Sequence, residues 1–275
     1  MRRITLILIL FCSTFIAKSN EPIRIACIGN SITYGAGISS REKNSYPAQL
    51  QTYLGPEFQV INFGASGRTA LVKGDYPFIN SNEYKHSLEF KPDILLVKFG
   101  TNDSKSQNIQ YFSDFKTDYL ALLESYKQVN PDLRIVLLTP LKSNLNGSSI
   151  NDSIMRNQID PVLRDIAFEN EYELVDLSRI LGEHPDHSLM PDDIHPSSIG
   201  AATIAKRLHL YLTADRAPKL STTQNNTKTS NFWGYKESVT HENGIEQRVV
   251  EPKNPASGYP WVLRARFWGH EPQTD

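Results

Sequence analysis

Two residues that could together perform acyl transfer stand near opposite ends of the chain. Ser31 lies in Cys27-Ile-Gly-Asn-Ser-Ile-Thr, and His195 lies in Met190-Pro-Asp-Asp-Ile-His-Pro-Ser. A serine hydroxyl is a weak nucleophile until a base takes its proton, and imidazole suits that exchange. Asp192 precedes His195 by three residues, a spacing that lets its carboxylate fold back in a tight turn onto Nδ1 and fix the tautomer. Asp193, two residues before His195, competes for this role, although in a turn its side chain is expected to point elsewhere. Acyl transfer also needs hydrogen-bond donors aimed at the developing oxyanion. The candidates are the backbone amides of Ser31 and Gly67 and the side-chain amide of Asn102. Taken singly, Ser31 could be a helix cap, Gly67 a turn glycine, Asn102 a cap and His195 a loop end. Only their combination points to a hydrolase.

That combination needs a scaffold that brings strand ends together. Ile23 to Gly29 reads as a buried strand turning sharply at Gly29 into a helix, which lifts Ser31 to a sheet edge beside helix amides. Gln59–Asn62 is a second strand, running into the small-residue loop Phe63-Gly-Ala-Ser-Gly-Arg-Thr. Asp93–Phe99 is a third, ending in Gly100-Thr-Asn-Asp. Arg134–Thr139 and Tyr172–Asp176 complete the set. Between them, helices are predicted after a Ser45 cap with an early Pro47 and a stop at Gly55, from Asp114 to Val129, and from Asp160-Pro161. A last helix starts at a Ser197 cap, with Ile204, Ala205, Leu208 and Leu212 on one face. Strands alternating with helices imply an α/β domain over residues 20–214, a parallel sheet between helical layers. Parallel strands end on one edge, so residues 31, 67 and 102 are expected to converge there.

The rest of the chain sets limits. With a formal charge of −1 in 275 residues, nothing points to nucleic acid as a partner. Arg2 and Arg3 precede an apolar run from Ile4 to Ala17, and Ala17-Lys18-Ser19 offers small residues for cleavage, so residues 1–19 read as a signal peptide. The run is short for a membrane anchor, the alternative. Cys12 follows Phe11, too bulky for lipoprotein processing. After cleavage Cys27 is the one cysteine left, inside the first strand, and it reads as a buried apolar residue rather than a nucleophile. Residues 215–230 are a polar linker. Residues 231–275 carry two expected strands, Glu246–Val250 and Trp261–Trp268, too little to bury a core alone. This tail is either docked on the main domain or the start of a second one.

Four ordered blocks, Gly29-Asn-Ser-Ile-Thr, Gly67, Gly100-Thr-Asn-Asp and Asp192-Asp-Ile-His, resemble those of the SGNH, or GDSL-like, hydrolases. The resemblance implies a flavodoxin-like three-layer α/β/α sandwich of about five parallel strands and a serine esterase without metal or cofactor. It supports Ser31 as nucleophile, His195 as base, Asp192 as orienting carboxylate, and Ser31, Gly67 and Asn102 as oxyanion donors. Asn30 departs from the Asp usual in that family, yet Asn can still cap the next helix. Cys27-Ile-Gly-Asn-Ser-Ile-Thr-Tyr-Gly-Ala-Gly, Asn44-Ser-Tyr-Pro and Lys98-Phe-Gly-Thr-Asn-Asp-Ser-Lys are similar to exported bacterial members of the sialate O-acetylesterase-like or carbohydrate esterase branch. An acetylated carbohydrate is then the expected partner, with sialic acid or plant polysaccharide as carrier, and the enzyme is secreted or periplasmic without stable membrane insertion.

Tyr34, Arg68 and Lys142, with Lys73 and Tyr111, lie on loops at the expected active edge as candidate sugar contacts. Pro260-Trp-Val-Leu-Arg-Ala-Arg-Phe-Trp resembles the opening of an α/β-hydrolase-like domain, but no Gly-x-Ser-x-Gly follows. Glu183-His-Pro-Asp-His187 lacks a third ligand at a recognised metal spacing. Gly35-Ala-Gly37 lacks the third glycine of a dinucleotide fingerprint. A glycan on Asn102 in Asn102-Asp-Ser would block the expected site. The rivals to an acetylesterase are a lipid esterase or thioesterase with the same machinery, and a silent glycan-binding module.

Overall fold

A computed structural model describes residues 21–147, 149–182, 186–214, 228–232, 235–242 and 245–251. Five short runs rich in Ile, Val and Leu form one parallel sheet: β1 (Ile23–Gly29), β2 (Phe58–Gly64), β3 (Ile94–Lys98), β4 (Arg134–Leu138) and β5 (Glu173–Val175), in the order β2-β1-β3-β4-β5. The chain winds outward from β1 in both directions, and the three-layer sandwich expected from the sequence is what forms. Side chains alternate across the sheet, as the period of two requires. Ala26, Ile28, Leu95, Val97, Ile135 and Leu137 face one core, with Phe115, Tyr119, Leu122, Leu163 and Ile166 opposite. Ile25, Cys27, Leu96, Val136 and Leu138 face the other, against Tyr46, Leu50, Ile204 and Leu208.

The covering helices are α1 (Ser31–Tyr34), α2 (Tyr46–Leu54), α3 (Asn82–Glu89), α4 (Phe115–Val129), α5 (Asp160–Glu169) and α6 (Ser198–Thr213). Helix α4 starts one residue from its expected place. Ser197 caps α6 as expected, its Oγ accepting from Gly200 N at 3.2 Å. Ser45 precedes α2 but its side chain does not cap the helix. Its hydroxyl lies 3.4 Å from Asn62 Nδ2 and accepts from it instead. Helical structure before α5 also begins earlier than the sequence suggests. Asn151 caps a turn at Asp152–Ile154, and Met155–Ile159 is wound as π-helix before Pro161. A proline that far into a helical stretch has no amide for the preceding turn, and local widening accommodates it.

The chain divides into two compact units between Ala214 and Asp215. In the second, β6 (Lys228–Phe232), β7 (Tyr235–Glu242) and β8 (Ile245–Glu251) form an antiparallel sheet in chain order. Strand β6 begins inside the stretch read as linker, and β7 was not expected, because Lys236, Glu237 and Glu242 dilute its apolar pattern. Strand β8 contains the expected 246–250. Residues 1–19, 215–227 and the expected strand 261–268 lie outside the described residues. Among the described residues no helix is long and apolar enough to cross a membrane.

Candidate active site

Strand register decides where the site can form. Gly29 pairs with Gly64 on one side and with Lys98 on the other, so three strands finish level. The turn into α1 crosses directly over these ends. A Cβ on Gly29 would sit 2.7 Å from the Lys98 carbonyl oxygen, and one on Gly64 would sit 2.6 Å from the Thr33 carbonyl carbon. Gly64 has no room for a side chain because the backbone of α1 lies against it, and Gly29 has none because it sits between the Thr33 side chain and the Lys98 carbonyl. At Gly29 the absent side chain serves this close approach, and the strand passes sharply into the helix there as the sequence suggests.

Asn30 caps α1, its Oδ1 accepting from Ile32 N at 3.1 Å. The cap that Ser31 could have supplied is thus filled by its neighbour, and the Ser31 hydroxyl points to the histidine. Ser31 Oγ lies 2.8 Å from His195 Nε2, across 164 residues of sequence. His195 Nδ1 lies 2.7 Å from Asp192 Oδ2, while Asp192 Oδ1 accepts from the amides of His195 and Ile194 at 2.6 and 3.1 Å. Partial burial alone would raise the Asp192 pKa. The hydrogen bonds from His195 and Ile194 outweigh it and hold the carboxyl below its usual range. With Nδ1–H donated to Asp192, Nε2 is the acceptor of the Ser31 proton.

Asp193 takes a different part. It sits at φ 64°, and its Oδ1 accepts from Asn144 Nδ2 at 2.8 Å while its carbonyl accepts from Ser143 Oγ at 2.8 Å. It ties the histidine turn to the loop after β4.

The loops that carry Gly67 and Asn102 follow the ends of β2 and β3. Gly67 has φ +78°, a left-handed conformation that a side chain would strain, while a Cβ there would meet only the Tyr76 ring at 3.8 Å. Asn102 is buried and opens a 3-10 turn, and its Nδ2 donates to Arg68 O at 3.0 Å. The loops of Gly67 and Asn102 are thus joined beside the site.

The sugar-contact candidates fare less evenly. Lys142 does not offer a free ammonium: its Nζ lies 2.5 Å from the carboxylate of Asp152, whose side chain is buried and also accepts from Ser143 N. Its charge is paired within its own loop. Lys73 pairs with Asp114 at 2.9 Å. Arg68 reaches Pro77 O at 3.4 Å, and the Tyr34 ring is covered by the Arg41 guanidinium at 3.8 Å. Tyr111 is partly buried against the core. Sequence reasoning missed Tyr76, which is 59% exposed beside Gly67; no periodic pattern marks it. It also left Asp103 and Asn108 without a role. Glu183 and His184 lie outside the described residues. Burial pushes the Cys27 thiol well up, which leaves it a packing residue.

Residues 27–203 match the model of the GDSL-like Lipase/Acylhydrolase family. An acetylxylan esterase from Xylanibacter ruminicola is 39% identical over 210 residues, 69% of this chain and 43% of that protein, so the chain spans less than half the length of this relative. Among solved structures, Est24, a carbohydrate acetylesterase from Sinorhizobium meliloti, superposes with a TM-score of 0.54 at 14% identity, covering 70% of this chain and 98% of that one. An aryl esterase from M. smegmatis gives 0.54 at 16% identity, covering 69% and 97%. At these identities the two structures establish the shared fold.

Proposed function

The chain belongs to the GDSL-like lipase/acylhydrolase family, and from that premise we propose that it is an exported serine esterase that removes O-acetyl groups from carbohydrate. The observation that carries this reading is the continuous relay from Asp192 through His195 to Ser31, with heavy-atom distances of 2.7 and 2.8 Å.

In this reaction His195 Nε2 takes the Ser31 proton as Oγ attacks the acetyl carbonyl. The Ser31 and Gly67 amides and the second N–H of Asn102 Nδ2 receive the oxyanion. The imidazolium, steadied by Asp192, gives its proton to the sugar oxygen, which leaves with its hydroxyl restored. Water, activated by the same imidazole, then attacks the acyl-serine, releases acetate and regenerates Ser31.

Acetylated xylan is the favoured substrate, on the name of the Xylanibacter ruminicola relative, and the exposed Tyr76 ring beside Gly67 suits a sugar better than an acyl tail. Export rests on the signal-like residues 1–19. The test is mass spectrometry of acetylated xylo-oligosaccharides incubated with the wild type and with Ser31→Ala. The expected result is stepwise loss of acetyl groups with the wild type alone. A rate on p-nitrophenyl esters that climbs from acetate to octanoate would replace this reading with a lipid esterase. Absence of any hydrolysis with glycan binding intact would replace it with a binding module.

A further inference from the structure

Asp103 is fully buried, and its two carboxylate oxygens serve two different loops. Oδ1 accepts from Leu71 N at 2.9 Å, four residues beyond Gly67. Oδ2 accepts from Gly100 N at 3.0 Å, two residues before Asn102. A second buried side chain, Asn108, repeats the pattern further out. Its Nδ2 donates to Asn102 O and to Asp75 Oδ1, both at 2.8 Å, and its Oδ1 accepts from Asp75 N at 2.8 Å. Asp75 Oδ2 is held in turn by Lys105 Nζ at 3.0 Å and Gln107 Nε2 at 3.1 Å.

We infer that Asp103 is a positioning residue of the esterase reaction: its carboxylate fixes the separation of the Gly67 and Asn102 donors, with Asn108 as a second stitch between the same loops. The inference rests on the esterase reading above, because the donors matter only if an oxyanion forms between them. The chemistry explains why the residue is an aspartate. Two backbone N–H groups converge on it, and a carboxylate is the side chain of this size that has two acceptors and no donor. An asparagine can satisfy one amide but must turn its own NH2 toward the other. Burial makes the carboxylate costly and pushes its pKa up to about 6, and backbone amides rather than a cation offset that cost. Such an arrangement is expected where precise loop spacing is worth a loss of stability.

The test is Asp103→Asn in the whole chain, assayed on p-nitrophenyl acetate. Losing one oxyanion donor costs about 10²–10³ in kcat, so a donor displaced rather than lost is expected to cost about 10–100-fold in kcat with little change in KM. Because the residue acts through the donors, the same substitution in an Asn102→Ala background is expected to cost much less than it does alone. A purely structural role would lower Tm and leave that difference unmoved.

Hydrogen exchange supplies a readout that needs no activity: protection of the Leu71 or the Gly100 amide is expected to fall in Asp103→Asn. If the wild type hydrolyses nothing, the esterase reading fails, and retained protection at both amides would then sink the clamp separately. An unchanged kcat, or an undiminished loss in the Asn102→Ala background, also overturns the inference. Should Asp103→Asn not fold, Asn108→Ala is read in the same two assays, with a smaller kcat loss expected and an unchanged kcat counting against the clamp.

Discussion

Asp192 grips His195 twice, by the ring Nδ1 at 2.7 Å and by the backbone amide at 2.6 Å. One carboxylate therefore both shapes the turn and sets which ring nitrogen carries the proton. Replacing it with asparagine offers an NH2 where an acceptor is needed and favours the wrong tautomer. In a buried triad that change costs about 10⁴ in kcat, and here, with the Asp192 side chain 55% exposed, about 10² is expected because water can partly substitute. Asp193→Ala removes a carboxylate that faces Asn144, so kcat is expected to stay close to the wild type. Steady-state kinetics on p-nitrophenyl acetate check both, and the reverse ranking would transfer the orienting role to Asp193.

Ser31 and His195 are proposed to act as one unit, since the hydroxyl is inert without the base and the base idle without the hydroxyl. Ser31→Ala and His195→Ala are each expected to lower kcat by about 10³ or more, and the double variant to be no worse than either. Additive losses would mean that the two side chains act separately.

Much of this site was legible in the sequence because strand ends are local signals. Ser31, Gly67 and Asn102 each follow a short apolar run, and a parallel sheet carries such ends to one edge without any further information. Asp192 was legible for a similar reason, being three residues from its partner. What escaped depends on partners far along the chain or hidden by composition. Lys142 looks like a free loop cation until Asp152 folds onto it. Ser45 looks like a cap until Asn62 reaches its hydroxyl from β2. Strand β7 is rich in charge, which hides its alternation. Asp103 sits in the block that contains Asn102, yet nothing local says that one of its oxygens belongs to Leu71.

Gly64 tests whether the strand ends hold the nucleophile in place. Its missing Cβ leaves room for the backbone of Thr33 and Tyr34, with a hypothetical methyl 2.6 Å from the Thr33 carbonyl carbon. Backbone cannot rotate aside as a side chain can, so Gly64→Ala must push α1 away from β2. The expected outcome is a loss of about 1–3 kcal/mol of stability by overpacking, together with a fall in kcat out of proportion to it. Urea unfolding and kinetics on the folded protein separate the two effects. Unchanged activity would show that the turn carrying Ser31 tolerates displacement.

Lys98 ends β3 with its side chain fully buried and Nζ without a hydrogen-bond partner among the described residues. Removal from water, reinforced by the charge of Arg156, pulls its pKa from 10.5 down to about 7, against an opposing pull from Asp160. Between those two values the unfolded chain holds a proton on this lysine that the folded protein does not. Stability therefore falls as pH drops from about 10 to about 7, and below that the full penalty is in place. Lys98→Met keeps a flexible chain of similar volume and removes the charge. It is expected to raise Tm by about 5 °C or more at pH 6, and the gap is expected to close as pH approaches 10. Thermal melts of both proteins at pH 6, 8 and 10 check the sign, since titrating groups remote from Lys98 contribute equally to each and cancel in the difference. Its neighbour Asp160, pushed up to about 6 by burial, is coupled to Lys98 and does not cancel. A gap independent of pH would mean that packing rather than the buried amine sets it, and a less stable methionine variant at pH 6 would mean that the ammonium has a partner there.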